Sequence, residues 1–311
     1  MCEMSESNRP AWYADDRVVS QLPFQYRVYA WYCRSMVNPA TGVIRGGSFL
    51  HRIVSKMTRL LRLRESAGVT VGNIVVHLDL CDSRIFMVFG ELSSSSGESR
   101  IMRLALHEGD SFIDVGANHG SFSLIARTFV GSLGSVVAFE PQPRLATLLG
   151  ESFRANGFHN CRVYNLALSD RAGETEFYIP SSGSGSSGIY RSFSATGNHH
   201  QVRVKTQRLD DVLDWRNLPG NLFVKLDVEG SEMLFLAGAQ QMIRSRRPII
   251  LFEINPTSAR AAGYSAHDLL LRFSDYGYRQ FADIDHYPAV QPLTGIDCTR
   301  QRNILALPSP S

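Results

Sequence analysis

The sequence predicts an α/β protein with a mostly parallel sheet. From Gly109 onward, short apolar runs alternate with segments of helical periodicity. The runs are almost continuously apolar, which is typical of parallel strands that crossover helices cover on both faces. Two late apolar runs, 278–284 and 303–307, have no clear helical segment between them, so we expect an antiparallel pair at one edge of the sheet.

The order of the elements follows from where each apolar run ends. The run 111–115 ends at a glycine-containing turn, and the helical segment 121–129 comes directly after it. Gly157 ends a later helix, as glycine commonly does. The other predicted strands are 136–139, 162–168, 222–226 and 249–252, and the other predicted helices are 144–156 and 232–243.

Composition excludes several classes of protein. The chain has 311 residues, of which 44% are hydrophobic and 20% charged, so it is a folded rather than a disordered protein. A net charge of +3 gives no reason by itself to expect a nucleic-acid or membrane partner. Five scattered cysteines without Cys-x-x-Cys spacing argue against a disulfide scaffold and a structural zinc site. No apolar stretch reaches the ~18 residues of a transmembrane segment, and the polar start lacks a signal core, so we expect a cytoplasmic protein.

Three parts of different composition divide the chain. Residues 1–65 form an extension rich in aromatic and basic residues, in which 48–64 has the spacing of an amphipathic helix that packs its apolar stripe on the main domain. A homodimer contact, a cover over the substrate and a membrane-surface helix are the alternatives. Residues 66–108 predict a β-rich lead-in and 109–311 the main domain. Within that domain, the Ser/Gly-rich segment 181–200 predicts a flexible loop.

The turn after the first strand of the main domain predicts a ligand site. Asp114 ends the strand, and Gly116 and Gly120 enclose a turn that leads into a helix. Glycines allow a ligand to approach the backbone closely, although this turn does not match the dinucleotide pattern G-x-G-x-x-G. Glu140 ends the next strand, where a carboxylate can accept hydrogen bonds from both ribose hydroxyls of an adenosine cofactor. Because Asp114 is acidic, the turn suits the cationic end of S-adenosylmethionine better than a pyrophosphate.

Further acidic residues follow two other predicted strands. Asp227, Glu229 and Glu232 come after the run 222–226, and Glu253 ends the run 249–252. The carboxyl ends of parallel strands meet at one edge of a sheet, so these groups are expected to line the same pocket. Glu232 is also placed to act as a partner of a helix dipole.

A hydroxyl acceptor needs a base, and the pocket offers several. Asp227 is the first candidate, and Glu229, Glu253 and His119 are alternatives. Lys225 lies on the same face of the strand as Asp227, so the two side chains are expected to pair. A divalent cation held by Asp227 and a neighbouring carboxylate is a further possibility, although no metal-ligand spacing indicates one.

Six motifs of this chain together resemble the FkbM family of S-adenosylmethionine-dependent methyltransferases over about residues 69–307. In order, they are Asp114-Val-Gly-Ala-Asn-x-Gly120, Phe139-Glu-Pro-x-Pro143, Ala167-Leu-Ser-Asp-x-x-Gly173, Arg208-Leu-Asp-Asp211, Lys225-Leu-Asp-Val-Glu-Gly-x-Glu232 and Phe252-Glu253. The resemblance implies the Rossmann-like, seven-stranded sheet of class I methyltransferases. It also implies that Gly116, Asn118 and Gly120 bound the cofactor turn, that Glu140 holds the ribose, and that Ala167 and Ser169 lie beside the adenine.

The resemblance implies O-methylation of a small-molecule or glycan hydroxyl, in a polyketide, another natural product, a glycan or a glycolipid. A nucleic-acid methyltransferase is one alternative. The chain lacks the Asn/Asp-Pro-Pro-aromatic tetrapeptide and the Pro-Cys nucleophile of such enzymes, so we expect no nucleic-acid partner. A protein that binds S-adenosylmethionine without catalysis is the other alternative.

Overall fold

The computed structural model describes residues 16–35, 47–60, 65–92, 96–180, 183–191 and 199–308. The predictions for 1–15, 36–46 and 61–64 of the extension, for 93–95 of the lead-in, and for 181–182 and 192–198 of the loop therefore lie outside the described residues.

The described residues form a seven-stranded sheet with two smaller sheets beside it. The strands are β1 (Ser66–Val71), β2 (Ile74–Asp79), β3 (Ser111–Val115), β4 (Ser135–Phe139), β5 (Cys161–Tyr164), β6 (Ala167–Leu168), β7 (Gly173–Pro180), β8 (His199–Gln207), β9 (Leu222–Leu226), β10 (Ile249–Ile254), β11 (Tyr278–Asp283) and β12 (Arg302–Pro308). The large sheet has the order β11-β12-β10-β9-β3-β4-β5. Strand β12 is antiparallel to both of its neighbours, and the other neighbouring strands of this sheet are parallel. The predicted parallel sheet and its antiparallel edge pair are thus confirmed.

Helices cover the sheet on both faces. They are α1 (Asp16–Val19), α2 (Phe24–Ser35), α3 (Gly47–Leu60), α4 (Ile85–Leu92), α5 (Gly97–Ala105), α6 (Ser121–Val130), α7 (Pro143–Ala155), α8 (Leu209–Val212), α9 (Glu232–Gly238), α10 (Gln240–Arg246), α11 (Pro256–Ala261) and α12 (Ala266–Asp275). The predicted helix 232–243 is divided into α9 and α10. Local signals set several of the ends: Pro143 occupies the first turn of α7, and Ser265 forms a capping box with Asp268 at α12.

The core consists of two apolar layers, one on each face of the large sheet. Consecutive residues of one strand enter different layers: Phe112 packs with one cluster, and Ile113 with the other. Strands β3 and β9 are buried along their full length. This arrangement explains why their sequences are continuously apolar, and it fixes the strand ends as the place where polar groups reach a cavity.

The predicted strand 162–168 is two elements in the structure. Strand β5 ends at Tyr164, and β6 begins at Ala167 in a separate three-stranded sheet of order β6-β8-β7. Residues 183–191 of the predicted loop connect strands of this small sheet, and His199 and His200 already belong to β8.

Among the described residues of the lead-in 66–108, strands are confined to the hairpin β1–β2. The apolar run after the hairpin is helix α4, and helix α5 follows. The prediction of a β-rich lead-in is therefore wrong for 85–92 and 97–105. A short run in which almost every residue is apolar hides its period, so strand and buried helix cannot be separated by pattern alone.

The amphipathic helix of the extension exists as α3, but three of the four apolar residues whose exposure is described do not pack as predicted. Val54 packs against the core, whereas Ile53, Met57 and Leu60 are exposed. Ser55 is buried instead and donates a hydrogen bond to the carbonyl of Cys81. None of the described helices is long and apolar enough to cross a membrane.

Candidate functional site

A cavity lies where strands β3, β4 and β9 end. This is the edge at which open α/β sheets bind their ligands. One wall is apolar and is formed by Phe139, Leu166, Ala167, Leu168 and Ile189. The lining also contains five charged groups, namely Arg84, Glu140, Lys225, Asp227 and Glu229.

The backbone of the turn after β3 lies directly against the backbone at the ends of β4 and β9. Gly116 has a φ of +83°, and its N–H and that of Ala117 donate to the carbonyl of Phe139, at 3.0 Å each. A Cβ on Gly116 would stand 2.0 Å from the backbone carbonyl oxygen of Asp227. No side chain fits there, so the glycine sets how closely β3 and β9 approach at the cavity.

Glu140 is held at the cavity by two backbone donors. Its carboxylate accepts hydrogen bonds from the N–H of Asn118 at 2.7 Å and from the N–H of Gln142 at 2.8 Å. The side chain is only 2% exposed, and this burial raises its pKa to about 7. Asn118 adopts the left-handed region with a φ of +55°, which directs its N–H at the carboxylate. The structure thus brings Glu140 and Asn118 together at the cavity, and their roles in binding the cofactor stay predictions.

Asp227 follows β9 and forms the ion pair that strand alternation predicts. Its Oδ2 lies 2.9 Å from Nζ of Lys225, and its side chain is 37% exposed at the cavity. Burial raises the pKa of Asp227, but the Lys225 ammonium and then Arg84 outweigh it and hold the pKa below its ordinary value. Asp227 is therefore ionised at neutral pH.

Two further carboxyl groups stand beside Asp227. One oxygen of each of Asp227, Glu229 and Glu253 falls within 4.8 Å of the others. Burial, and then the charge of Asp227, raise the pKa of Glu229 to about 8 and that of Glu253 to about 7. Glu229 accepts a hydrogen bond from Ser258 at 2.9 Å. The three acids thus differ in protonation, and Asp227 is the one that carries a full charge at pH 7.

Several predicted site residues lie outside the cavity lining. Asp114 is buried below the turn and accepts a hydrogen bond from Ser123 at 2.6 Å, and a Cβ on Gly120 would collide with Leu149. Ser169 contacts Asp170. Three further residues that the sequence analysis assigned to the pocket do not line the cavity, namely Glu232, Glu253 and His119.

Each of those three has a partner that explains its position. Glu232 accepts hydrogen bonds from the N–H of Gly230 and from the hydroxyl of Tyr264. Glu253 accepts one from Gln301 at 2.6 Å. His119 is 1% exposed and contacts Asn118 Oδ1 through Nδ1 at 2.7 Å, so it supports the turn rather than facing the cavity.

Arg84 and Ser184 are cavity residues that the sequence motifs do not reveal. Arg84 directly precedes helix α4 and pairs with Glu91 at 2.7 Å, while its buried Nε has no partner among the described residues. Ser184 accepts a hydrogen bond from Asn118 Nδ2 at 2.8 Å, and its N–H is 3.2 Å from Asp82. Only a lone arginine before an apolar run marks Arg84 in the sequence.

The sheet order, the antiparallel β12 and the acidic cavity at the strand ends define a class I methyltransferase fold. The chain belongs to the FkbM methyltransferase family, because the family model "Methyltransferase FkbM domain" matches residues 114–280. The predicted family, and with it S-adenosylmethionine as the methyl donor that the family uses, is thereby confirmed.

Individual relatives resemble parts of the chain. The 2-O-methyltransferase NoeI of Sinorhizobium fredii is 29% identical over 150 residues, which cover 43% of this chain and 59% of NoeI. The hexuronic acid methyltransferase AglP of Haloferax volcanii is 30% identical over 164 residues, which cover 50% of this chain and 62% of AglP. The matches thus span about three fifths of the length of these curated relatives. A crystal structure of an FkbM methyltransferase from Methylobacillus flagellatus KT aligns over 92% of this chain and 72% of its own, with 14% identity and a TM-score of 0.42.

The raised pKa of Glu229 predicts a pH-dependent stability. The folded state shifts the pKa from 4.5 to about 8, so it favours the neutral carboxyl group. The associated stability is complete below pH 4.5 and is lost as the pH rises through 8. We expect Glu229→Gln to be more stable than the wild type at pH 9, by roughly 2–5 kcal/mol, and to show a smaller decline between pH 6 and 9. Denaturant unfolding at each pH measures this. Glu174→Gln, which replaces a largely exposed carboxylate, is the control and should follow the wild type.

Proposed function

We propose that this protein is an S-adenosylmethionine-dependent O-methyltransferase that acts on a hydroxyl group of a sugar, in a glycan, a glycolipid or a glycosylated natural product. The observation that carries the proposal is the ionised Asp227 beside a cavity that also contains Glu140. The names of the two relatives, a 2-O-methyltransferase and a hexuronic acid methyltransferase, support a sugar acceptor.

The cavity residues fit the cofactor. The buried carboxylate of Glu140 suits ribose hydroxyls, and the apolar wall from Phe139 to Leu168 suits an adenine ring. Gly116 lines the cavity, and the carboxylates of the lining favour a cationic group. When bound, S-adenosylmethionine supplies a methyl group on a positively charged sulfur.

The chain's own contribution is to hold the acceptor and to remove its proton. An alcohol is a weak nucleophile, so a base that accepts the hydroxyl proton accelerates the reaction. Asp227 is ionised and solvent-accessible at the cavity, whereas Glu229, with a pKa of about 8, is mostly protonated at pH 7. We therefore assign the base to Asp227, with Lys225 keeping it charged and in place.

Arg84 favours a hexuronic acid over a neutral sugar. Arg84 lines the cavity, its buried Nε–H has no acceptor among the described residues, and arginine binds carboxylates well. A panel of nitrophenyl glycosides tests both the sugar acceptor and the preference for a hexuronic acid. Turnover is measured as S-adenosylhomocysteine formation, and mass spectrometry identifies the methylated product. Methylation of glucuronide or galacturonide above glucoside and fucoside is expected. Turnover of none of the sugars, but of RNA, would favour the nucleic-acid alternative.

Loss of the Glu140 carboxylate is expected to weaken cofactor binding. Glu140→Ala removes two hydrogen bonds to a charged acceptor, which corresponds to about 2–4 kcal/mol, or roughly 30- to 1000-fold in Kd. Since the ionised form accepts these bonds, wild-type affinity should fall as the pH drops below about 7. Isothermal titration calorimetry with S-adenosylmethionine measures both. Glu151→Ala, on the outer part of α7, is the control, and equal affinities for the two variants would refute the ribose assignment.

A further inference from the structure

The charges of this chain are unevenly distributed. Residues 17–64 contain nine arginine and lysine residues and no aspartate or glutamate, whereas the rest of the chain has 23 basic and 29 acidic residues. The formal charge is therefore +9 in this segment and −6 elsewhere, a separation that the net value of +3 conceals.

Two helices of the same segment expose apolar faces. Phe24, Val28 and Trp31 are 70%, 46% and 68% exposed on α2. On α3, Ile53, Met57 and Leu60 are 40%, 52% and 76% exposed. In both helices the spacing is i, i+4, i+7, so the three side chains share one face. These six residues, together with the exposed Arg27 and Lys56, are called the α2–α3 surface.

The chemistry of this surface selects its occupant. Apolar side chains that include an exposed tryptophan, accompanied by cations and free of acidic residues, match the boundary of a bilayer with anionic headgroups. A second copy of the chain would instead bring two strongly positive segments together. We propose that the α2–α3 surface binds the surface of anionic lipid bilayers.

The surface is attached directly to the cavity region. The hydroxyl of Tyr26 on α2 lies 3.7 Å from Sγ of Cys81, and Ser55 on α3 bonds to the carbonyl of the same residue. The next residue, Asp82, contacts Ser184 at the cavity, and Arg84 lies in the cavity wall. Membrane binding would therefore place the cavity close to the lipid surface.

Co-sedimentation of the full chain with vesicles tests the proposal. We expect binding to phosphatidylcholine vesicles that contain phosphatidylglycerol, little binding to phosphatidylcholine alone, and weaker binding as salt rises. Leu60→Glu and Lys56→Glu should each weaken binding roughly tenfold or more. Leu133→Glu and Arg171→Glu change similarly exposed residues of the main domain, and they should bind as the wild type does.

A spectroscopic measurement gives a second readout that does not depend on a destabilising variant. In Trp12→Phe protein, Trp31 is 68% exposed and Trp215 only 2%, so vesicles should shift the emission of Trp31 to shorter wavelength. Equal binding to neutral and anionic vesicles, or equal weakening by the main-domain variants, would overturn the proposal. A lipid-free dimer in sedimentation velocity that Leu60→Glu dissociates, with no vesicle binding, would assign the surface to a second copy instead.

Discussion

Asp227→Asn is expected to reduce kcat about 10²- to 10⁴-fold while S-adenosylmethionine binding is retained. The amide keeps the size of the side chain and still offers an oxygen to Lys225, which lies 2.9 Å away and is almost completely buried. It cannot accept a proton from the acceptor hydroxyl. Steady-state kinetics with the best acceptor, together with calorimetry of cofactor binding, separate the two effects.

The neighbouring acids provide matched controls for this result. Glu229→Gln and Glu253→Gln change carboxyl groups of the same cluster whose pKa values are raised to about 8 and about 7. We expect much smaller losses of kcat for both at pH 7. Near wild-type turnover of Asp227→Asn, with a large loss in Glu229→Gln or Glu253→Gln, would transfer the role of the base to that residue.

A divalent cation bound by Asp227 is the alternative explanation for a loss of kcat in Asp227→Asn. The oxygen atoms of the three acids are close enough to share an ion, but nearby carboxylates are common without one. A chelator separates the mechanisms, because proton acceptance by Asp227 needs no metal. Full activity of the wild type in excess chelator is expected, and loss that added magnesium or manganese restores would favour the cation.

The sequence predicts those parts of the site that arise from local pattern. In the sequence, an apolar run followed by a glycine or an acidic residue marks the end of a strand. Gly116, Glu140 and Asp227 could therefore be placed at the cavity without a structure. Arg84 reaches the same cavity from far away in the chain, and no local pattern encodes that approach. The sequence likewise does not determine what the apolar face of an amphipathic helix contacts. Periodicity identifies the apolar face of α3 but not what covers it.

Gly116→Ala is expected to abolish detectable S-adenosylmethionine binding while the sheet stays folded. The added Cβ would lie 2.0 Å from the carbonyl oxygen of Asp227, which is backbone and cannot rotate away, so the ends of β3 and β9 must separate. That movement displaces both the cofactor turn and the proposed base. The positive φ adds a penalty of about 1–2 kcal/mol to folding.

Gly109→Ala isolates that penalty from the collision. Gly109 has a φ of +90°, and a Cβ there would meet nothing within 4 Å. Gly109→Ala should therefore be destabilised by its backbone conformation about as much as Gly116→Ala is by its own, and it should still bind the cofactor like the wild type. Calorimetry measures binding, and circular dichroism with thermal unfolding measures the fold of each variant. If Gly116→Ala binds S-adenosylmethionine as tightly as Gly109→Ala does, the close approach of β3 and β9 is not required for the cofactor site, and the turn has a purely structural role.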